Sequence, residues 1–179
     1  MFKSVSASQT TITELMIPSY ANFGGKIHGG ILLSLMDKVA YACASKHSGL
    51  YCVTVSVDTV DFLSPVEVGE LVSLMGSVNF VGNSSMVIGI KAMAENVSRG
   101  DRRHTNTCYF TMVAKDSEGN PATVPGLILE DREQIRRCLE AMKRREIKNR
   151  YQSEFENEKS SLRVDAEIHL LQGQRVKVK

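Results

Sequence analysis

The chain has few of the features that would fix a function outright. Its four cysteines, Cys43, Cys52, Cys108 and Cys138, are scattered and include no C-x-x-C pair. That spacing argues against both a zinc site and a disulfide framework. The four histidines, His28, His47, His104 and His169, are too dispersed to suggest a metal cluster, so no metal is expected. No apolar run reaches the roughly 18 residues needed to span a bilayer. The first ten residues lack the apolar core of a signal peptide, and the chain reads as cytoplasmic, with no membrane partner. A net charge of +2 over 179 residues is too small to argue for nucleic acid. G-x-S-x-G, the P-loop, G-x-G-x-x-G after a strand and H-E-x-x-H are all missing, which removes the familiar hydrolase, nucleotide and zinc-protease signatures.

The order of elements is readable. Residues 4–16 mix Val, Thr and Ile up to Pro18, which predicts a strand and a break. A polar turn over 20–29 carries Asn22 and a set of glycines. From 29 to 47, Ile31, Leu32, Leu35, Met36, Val39 and Cys43 repeat at helical spacing. That helix has so few polar residues that it is expected to be wrapped by the rest of the fold. Tyr51, Val53, Val55 and Val57 then alternate with smaller or polar residues, as in a strand. Residues 70–81, 85–97 and 104–115 predict three more strands, separated by turn-like segments at 81–85 and 98–103. One apolar helix followed by antiparallel strands is an α+β pattern, most simply a single sheet curled around the helix. Glu130–Arg150 carries eight Lys or Arg and five Asp or Glu around a thin apolar stripe of Ile135, Leu139, Met142 and Ile147. It predicts an amphipathic helix that continues toward Tyr151 and Phe155. The charges are nearly balanced and aromatics are few, so a solvated or inter-subunit helix is expected rather than one that binds RNA. The polar tail from Lys159 is expected to be mobile unless a partner orders it.

The residues that could do chemistry cluster at the start of the apolar helix. Asp37 sits about two turns inside it. A carboxylate on a largely apolar helix is either solvated and paired, here with Lys38 or Ser34, or partly desolvated and used as a base or nucleophile. Asn22 suits a left-handed turn, and its amide could also orient a water or a carbonyl. His28 either caps the helix or contacts a ligand. Gly29 and Gly30 allow close approach to backbone N–H groups at the helix N-terminus, where an oxyanion could be stabilised.

The ordered set of motifs resembles the hotdog-fold acyl-CoA thioesterases. The closer match is the cytosolic acyl-CoA hydrolase branch, with its YciA-like bacterial and brain-type members. The resemblance rests on Asn22-Phe-Gly-Gly-Lys-Ile-His28-Gly-Gly and Met36-Asp37. It continues through Asp61-Phe-Leu-Ser-Pro65, Gly69-Glu70, Val81-Gly-Asn-Ser-Ser85, Met93-Ala-Glu-Asn96, Thr105-Asn106 and Val124-Pro125. It covers about residues 10 to 155. With the change of composition near residue 130, it divides the chain into a hotdog thioesterase domain over 1–128, a charged C-terminal helix over 129–158 and a polar tail over 159–179, the last without a counterpart in the family. It implies a homodimer unit, often arranged as a trimer of dimers, with the active site at the dimer interface. Asn22 of one subunit would meet Asp37 of the other, with Gly29 and Gly30 as the oxyanion site and His28 beside them. Coenzyme A would be part of the substrate, and no separate cofactor is implied. Its phosphates need positive partners; Arg102 and Arg103, with Ser84 and Ser85, are the candidates, and ordinary solvated turn residues are the other reading of them. The fatty acyl chain would need an apolar tunnel, for which residues around Phe62 are available.

Two further readings share the fold. One is a non-catalytic acyl-CoA-binding regulator, but the N-terminal extension is too short for an added helix-turn-helix. The other is a dehydratase pairing His28 with Asp37, but the proline-rich motif around the dehydratase histidine is missing.

Overall fold

In the computed structural model, residues 1–178 are described. Two compact units divide the chain, Met1–Ala141 and a second beginning at Met142. In the first unit, β1 (Phe2–Ser4) and β8 (Gly126–Ile128) form a parallel pair. The main sheet has six strands: β2 (Thr10–Leu15), β3 (Tyr51–Val57), β4 (Asp61–Phe62), β5 (Leu71–Val81), β6 (Ser85–Asn96) and β7 (Asp101–Lys115). Their order is β2-β5-β6-β7-β3, with β4 also paired to β7, and every pairing is antiparallel.

Helix α1 (Gly29–Ser48) contacts β2, β3, β5, β6 and β7, so the sheet curls around it as its sequence predicts. Leu32, Leu35, Met36, Val39, Ala40, Cys43, Ala44 and His47 are its buried residues. They pack against Val72, Leu74 and Val78 of β5, Met86, Ile88 and Ile90 of β6, and Cys108, Phe110 and Met112 of β7. Each large apolar side chain removed from water this way contributes roughly 1.5–3 kcal/mol. Helix and sheet meet most closely at Gly76, where a Cβ would stand 2.5 Å from Val39 Cγ1 and 2.9 Å from Cys43 Sγ. The helix stops at Gly49, whose φ of 75° suits a residue without Cβ and whose N–H bonds Ser45 O at 2.8 Å.

Two strand expectations change. The predicted strand over 4–16 is broken by a 3-10 turn at Ser6–Ser8, where Ser8 Oγ donates to Val5 O. The predicted turn over 98–103 is shorter, because β6 and β7 keep pairing out to Asn96 and Asp101. Arg102 and Arg103 are therefore strand residues. The alternating strand β3 lies at the sheet edge and leaves Tyr51, Val55 and Val57 exposed, while Cys52 is buried. An unpaired edge with exposed apolar side chains is a place where a second strand can add.

The charged segment forms α2 (Arg132–Ser161), three residues further along the chain at each end than the expected 129–158. Asp131 caps it: Asp131 Oδ1 accepts from Gln134 N at 2.8 Å. The second unit holds the rest of α2, a short α3 (Val164–Glu167) and a 3-10 turn at Ile168–Leu171. Lys179, in the predicted tail, lies outside the described residues.

Candidate active site

Asn22 opens the turn that leads into α1. Its side-chain Oδ1 accepts from Gly24 N at 2.9 Å and Lys26 N at 3.2 Å, while its backbone N–H bonds Lys26 O at 2.7 Å. The turn is thus built on the asparagine side-chain oxygen and not on a left-handed backbone at Asn22, a conformation that among the described residues only glycines adopt. The amide nitrogen is left as a fixed, outward donor.

The first turn of α1 is a second source of donors. His28 is its N-cap, and His28 Nδ1 accepts from Gly30 N at 2.9 Å, which puts the ring proton on Nε2. Ile31 N and Leu32 N go to His28 O. The amide of Gly29 is the one these bonds leave over. Of the two glycines expected to hold an oxyanion, Gly30 has its N–H engaged by the His28 cap. Gly29 stays in play. Its Cα faces Phe62, whose ring carbon Cζ lies 3.0 Å from where a Cβ would be. Asn22, Gly29, Leu32, Phe62, Ser64 and Pro65 line one cleft of about 420 Å³.

Asp37 lies in a different cleft of about 350 Å³, with Tyr41, Tyr51, Thr54 and Met112. It is half-buried and pairs with neither Lys38 nor Ser34. Instead, Thr54 Oγ1 on β3 donates to Asp37 Oδ1 at 2.6 Å. Thr54 is a functional candidate that the sequence did not reveal, because a threonine in an alternating strand carries no mark of its helix partner. Along α1, Asp37 is eight residues from Gly29, about 12 Å at 1.5 Å per residue. One chain does not bring the carboxylate to the Asn22 cleft.

Arg103, expected near phosphates, is engaged by a carboxylate of its own chain. Its guanidinium is bidentate on Glu70, with Nη1 to Oε1 at 2.6 Å and Nη2 to Oε2 at 2.8 Å. It also donates to Ser64 Oγ at 2.8 Å and Pro65 O at 2.6 Å. The Glu70 side chain is only 3% exposed. Arg103 beside it holds the Glu70 carboxyl below the usual carboxylate range, against the effect of burial. The fork therefore ties β7 to the segment that walls the Asn22 cleft. Arg102 is exposed beside it. Ser85 begins β6, with Ser84 just before it, and Arg102 and Arg103 face its far end, so the two pairs stand roughly 35 Å apart in one chain at about 3.4 Å per residue. Among the described residues, no three His, Cys, Asp or Glu side chains converge as a metal site.

The model of the thioesterase superfamily matches residues 24–100. The Helicobacter pylori protein VdlD is 43% identical over 139 residues, 78% of this chain and 79% of that one. A Bacillus subtilis protein, the uncharacterized acyl-CoA thioester hydrolase YkhA, is 36% identical over 80% of this chain and 84% of its own length. Among solved structures, a hexameric acyl-CoA thioesterase superposes with a TM-score of 0.81 at 33% identity, covering 90% of this chain and 99% of that one. An acyl-CoA hydrolase from Staphylococcus aureus, solved with butyryl coenzyme A and coenzyme A, gives 0.75 at 30% identity over 87% of this chain and 98% of that one. That hydrolase has also been solved with an asparagine, an aspartate and a threonine each replaced by alanine, and the three are spaced in sequence as Asn22, Asp37 and Thr54 are here. On the fold, the identity and the coverage together, the chain belongs to the thioesterase superfamily, the thioester hydrolases of hotdog fold.

Proposed function

We propose that the protein hydrolyses acyl-CoA to a free carboxylic acid and coenzyme A, at sites shared between two subunits. The observation that carries the reading is the separation of the two clefts. Hydrolysis needs one carbon within about 3 Å of both the attacking group and the oxyanion donors. Asp37 is about four times that distance along α1 from Gly29. The exposed apolar edge of β3, next to the Asp37 cleft, supports a dimer that brings Asp37 of one chain to the Asn22 cleft of the other. The hexameric relative supports further assembly, which we place at a trimer of dimers.

In this site the thioester carbonyl oxygen accepts from the Gly29 N–H and the Asn22 amide. Both donors are fixed before substrate arrives, so they stabilise the negative charge that grows on that oxygen without reorganising. Thr54 occupies Asp37 Oδ1 and leaves Oδ2 to act. Oδ2 either takes a proton from water as the water attacks, or attacks the carbonyl carbon itself to give a mixed anhydride that water then cleaves, releasing the acid and restoring the Asp37 carboxylate. In either case a C–O bond forms and the C–S bond breaks. The electron pair leaves on the coenzyme A thiolate, a leaving group stable enough to need no strong acid. Phe62 gives the cleft an apolar wall for the acyl end. Arg102 remains the candidate for a phosphate, whereas Arg103 positions the cleft wall. Ser84 and Ser85 would join a phosphate site with Arg102 only from another chain. The step uses these groups and water. The reading places the enzyme in the cytoplasm, as the name of a rat relative, the cytosolic acyl coenzyme A thioester hydrolase, suggests for that protein.

Purified protein is expected to release free thiol from members of an acetyl- to palmitoyl-CoA panel, and Asp37→Ala to bind acyl-CoA without turning it over. A panel left wholly intact refutes hydrolysis. Binding without turnover by the wild type would instead favour the acyl-CoA-binding regulator.

A further inference from the structure

Phe62 reaches from β4 to the first turn of α1, where Gly29 carries the donor that the cap leaves over. The far edge of its ring meets the helix. A Cβ on Gly29 would stand 3.0 Å from Cζ, 3.2 Å from Cε1 and 3.7 Å from Cε2. The first two are closer than the roughly 3.5–4.0 Å of ordinary carbon contact, so the ring lies this near because residue 29 has no Cβ.

The backbone that carries the ring is held on several sides. Phe62 pairs with Asn106 of β7. Asn106 Nδ2 donates to Asp61 O at 3.0 Å, and Leu63 N donates to Thr105 O at 2.9 Å. Thr105 and Asn106 are buried, so these bonds are sheltered from water. Just beyond, Arg103 grips Ser64 and Pro65. The ring therefore has a fixed root, although Phe62 as a whole is 55% exposed. Ile27, Leu32 and Val66, which line the same cleft, are apolar and buried. That lining suits the acyl half of a thioester rather than the charged coenzyme half.

We propose that Phe62 is a specificity-determining residue that selects acyl groups unbranched at the carbon next to the carbonyl. The inference rests on the hydrolase reading above. A carbonyl oxygen that accepts from the Gly29 N–H stands about 3 Å from that nitrogen. The first carbon of the acyl chain is bonded to the same carbonyl carbon, so it comes to lie beside the ring edge. A straight chain passes along the ring toward the apolar lining. A methyl branch on that first carbon meets the ring instead. The open side of the cleft is the way out for the ring, and it is also the side from which Asp37 of the other chain must approach. Packed apolar sites accommodate an added carbon only by strain or displacement.

Butyryl-CoA and isobutyryl-CoA test this, because they hold the same atoms and differ only in the branch. kcat/KM is measured for both with full-length wild type, Phe62→Ala and Phe62→Leu. Hydroxide hydrolysis of the two free thioesters gives their intrinsic difference in reactivity. Wild type is expected to favour butyryl-CoA by roughly tenfold to a hundredfold beyond that difference, the range for one misplaced carbon in an apolar pocket. Phe62→Ala should bring the preference to within about threefold of the intrinsic difference. Phe62→Leu keeps apolar bulk without the reach of the ring, so its preference should fall between the two, and it carries the test if Phe62→Ala does not fold. The same preference in wild type and the variants, or none in wild type, overturns the proposal and leaves hydrolysis standing. Wild type that cleaves neither thioester refutes the hydrolase reading and the proposal with it.

Discussion

Replacing Arg103 by Met is expected to cost this enzyme stability before it costs coenzyme affinity. The substitution keeps much of the apolar stem and removes the guanidinium. Glu70, 3% exposed, is left as a buried carboxylate whose remaining support is Glu67 N at 2.9 Å. Breaking a buried pair by deleting one partner costs about 3–5 kcal/mol. Arg103 is itself 31% exposed, which places the cost near the lower end, about 3 kcal/mol. For a chain of this size that is roughly 9 °C in Tm, at about 3 °C per kcal/mol. Thermal melting followed by circular dichroism reads it directly. Glu70→Leu with Arg103→Met should recover most of the loss, because an apolar pair leaves no charge unpaired. The pH profile is a second readout. With its pKa held down by Arg103, Glu70 contributes stability that is complete above its ordinary value of 4.5 and is lost as the pH falls below it. Kinetics close the test. The loosened Ser64–Pro65 wall should reduce kcat with acyl-CoA, and shortening the acyl chain should change the size of that effect. A variant that melts within a degree of wild type but shows a tenfold higher KM for acyl-CoA would refute the anchor. Arg103 would then be a phosphate ligand.

Three further outcomes follow from the geometry. Inactive Asp37→Ala and inactive Asn22→Ala, mixed in equal amounts and allowed to exchange subunits, should regain about one quarter of wild-type activity, since half the dimers are mixed and each holds one intact site of two; no recovery would place both residues of a site in one chain. Thr54→Val should lower kcat roughly tenfold with KM little changed, as expected when a hydroxyl that orients the reacting carboxylate is lost, and an unchanged kcat would remove Thr54 from the site. His47 is buried and bonds Pro125 O through Nε2 at 2.9 Å, and burial pushes its pKa below 6.5. The unfolded chain therefore takes up that proton first as the pH falls. Stability should be full above about pH 6.5 and decline below it, and a urea titration of His47→Gln should show a flatter dependence between pH 7 and 5.

Much of the fold was legible because its signals are local. The 3.6-residue repeat from Ile31 to Cys43 marks α1, and the strands β5, β6 and β7 follow from alternation bounded by turn residues. The glycine turn and Asp37 stood out because a carboxylate on an apolar helix is costly without a use. Other contacts were hidden because they join residues far apart in sequence. Thr54 reaches Asp37 across 17 positions and Arg103 reaches Glu70 across 33. Neither partner carries a mark of the other. The hairpin end was misread for a related reason: Asp101, Arg102 and Arg103 are polar strand residues, so composition could not separate strand from turn.

By itself, then, the sequence determined the element order, the apolar helix inside a curled sheet and the segment that carries the chemistry, since each depends on periodicity and on the chemistry of neighbouring residues. Only the tertiary structure decided how those groups are spent. It gave Gly30 to the His28 cap and left Gly29, turned Asn22 into a fixed donor, and committed Arg103 to a buried carboxylate. It also set Asp37 about 12 Å along α1 from the glycine turn. Hydrogen-bond partners and separations arise from packing between distant segments, and local patterning does not encode them.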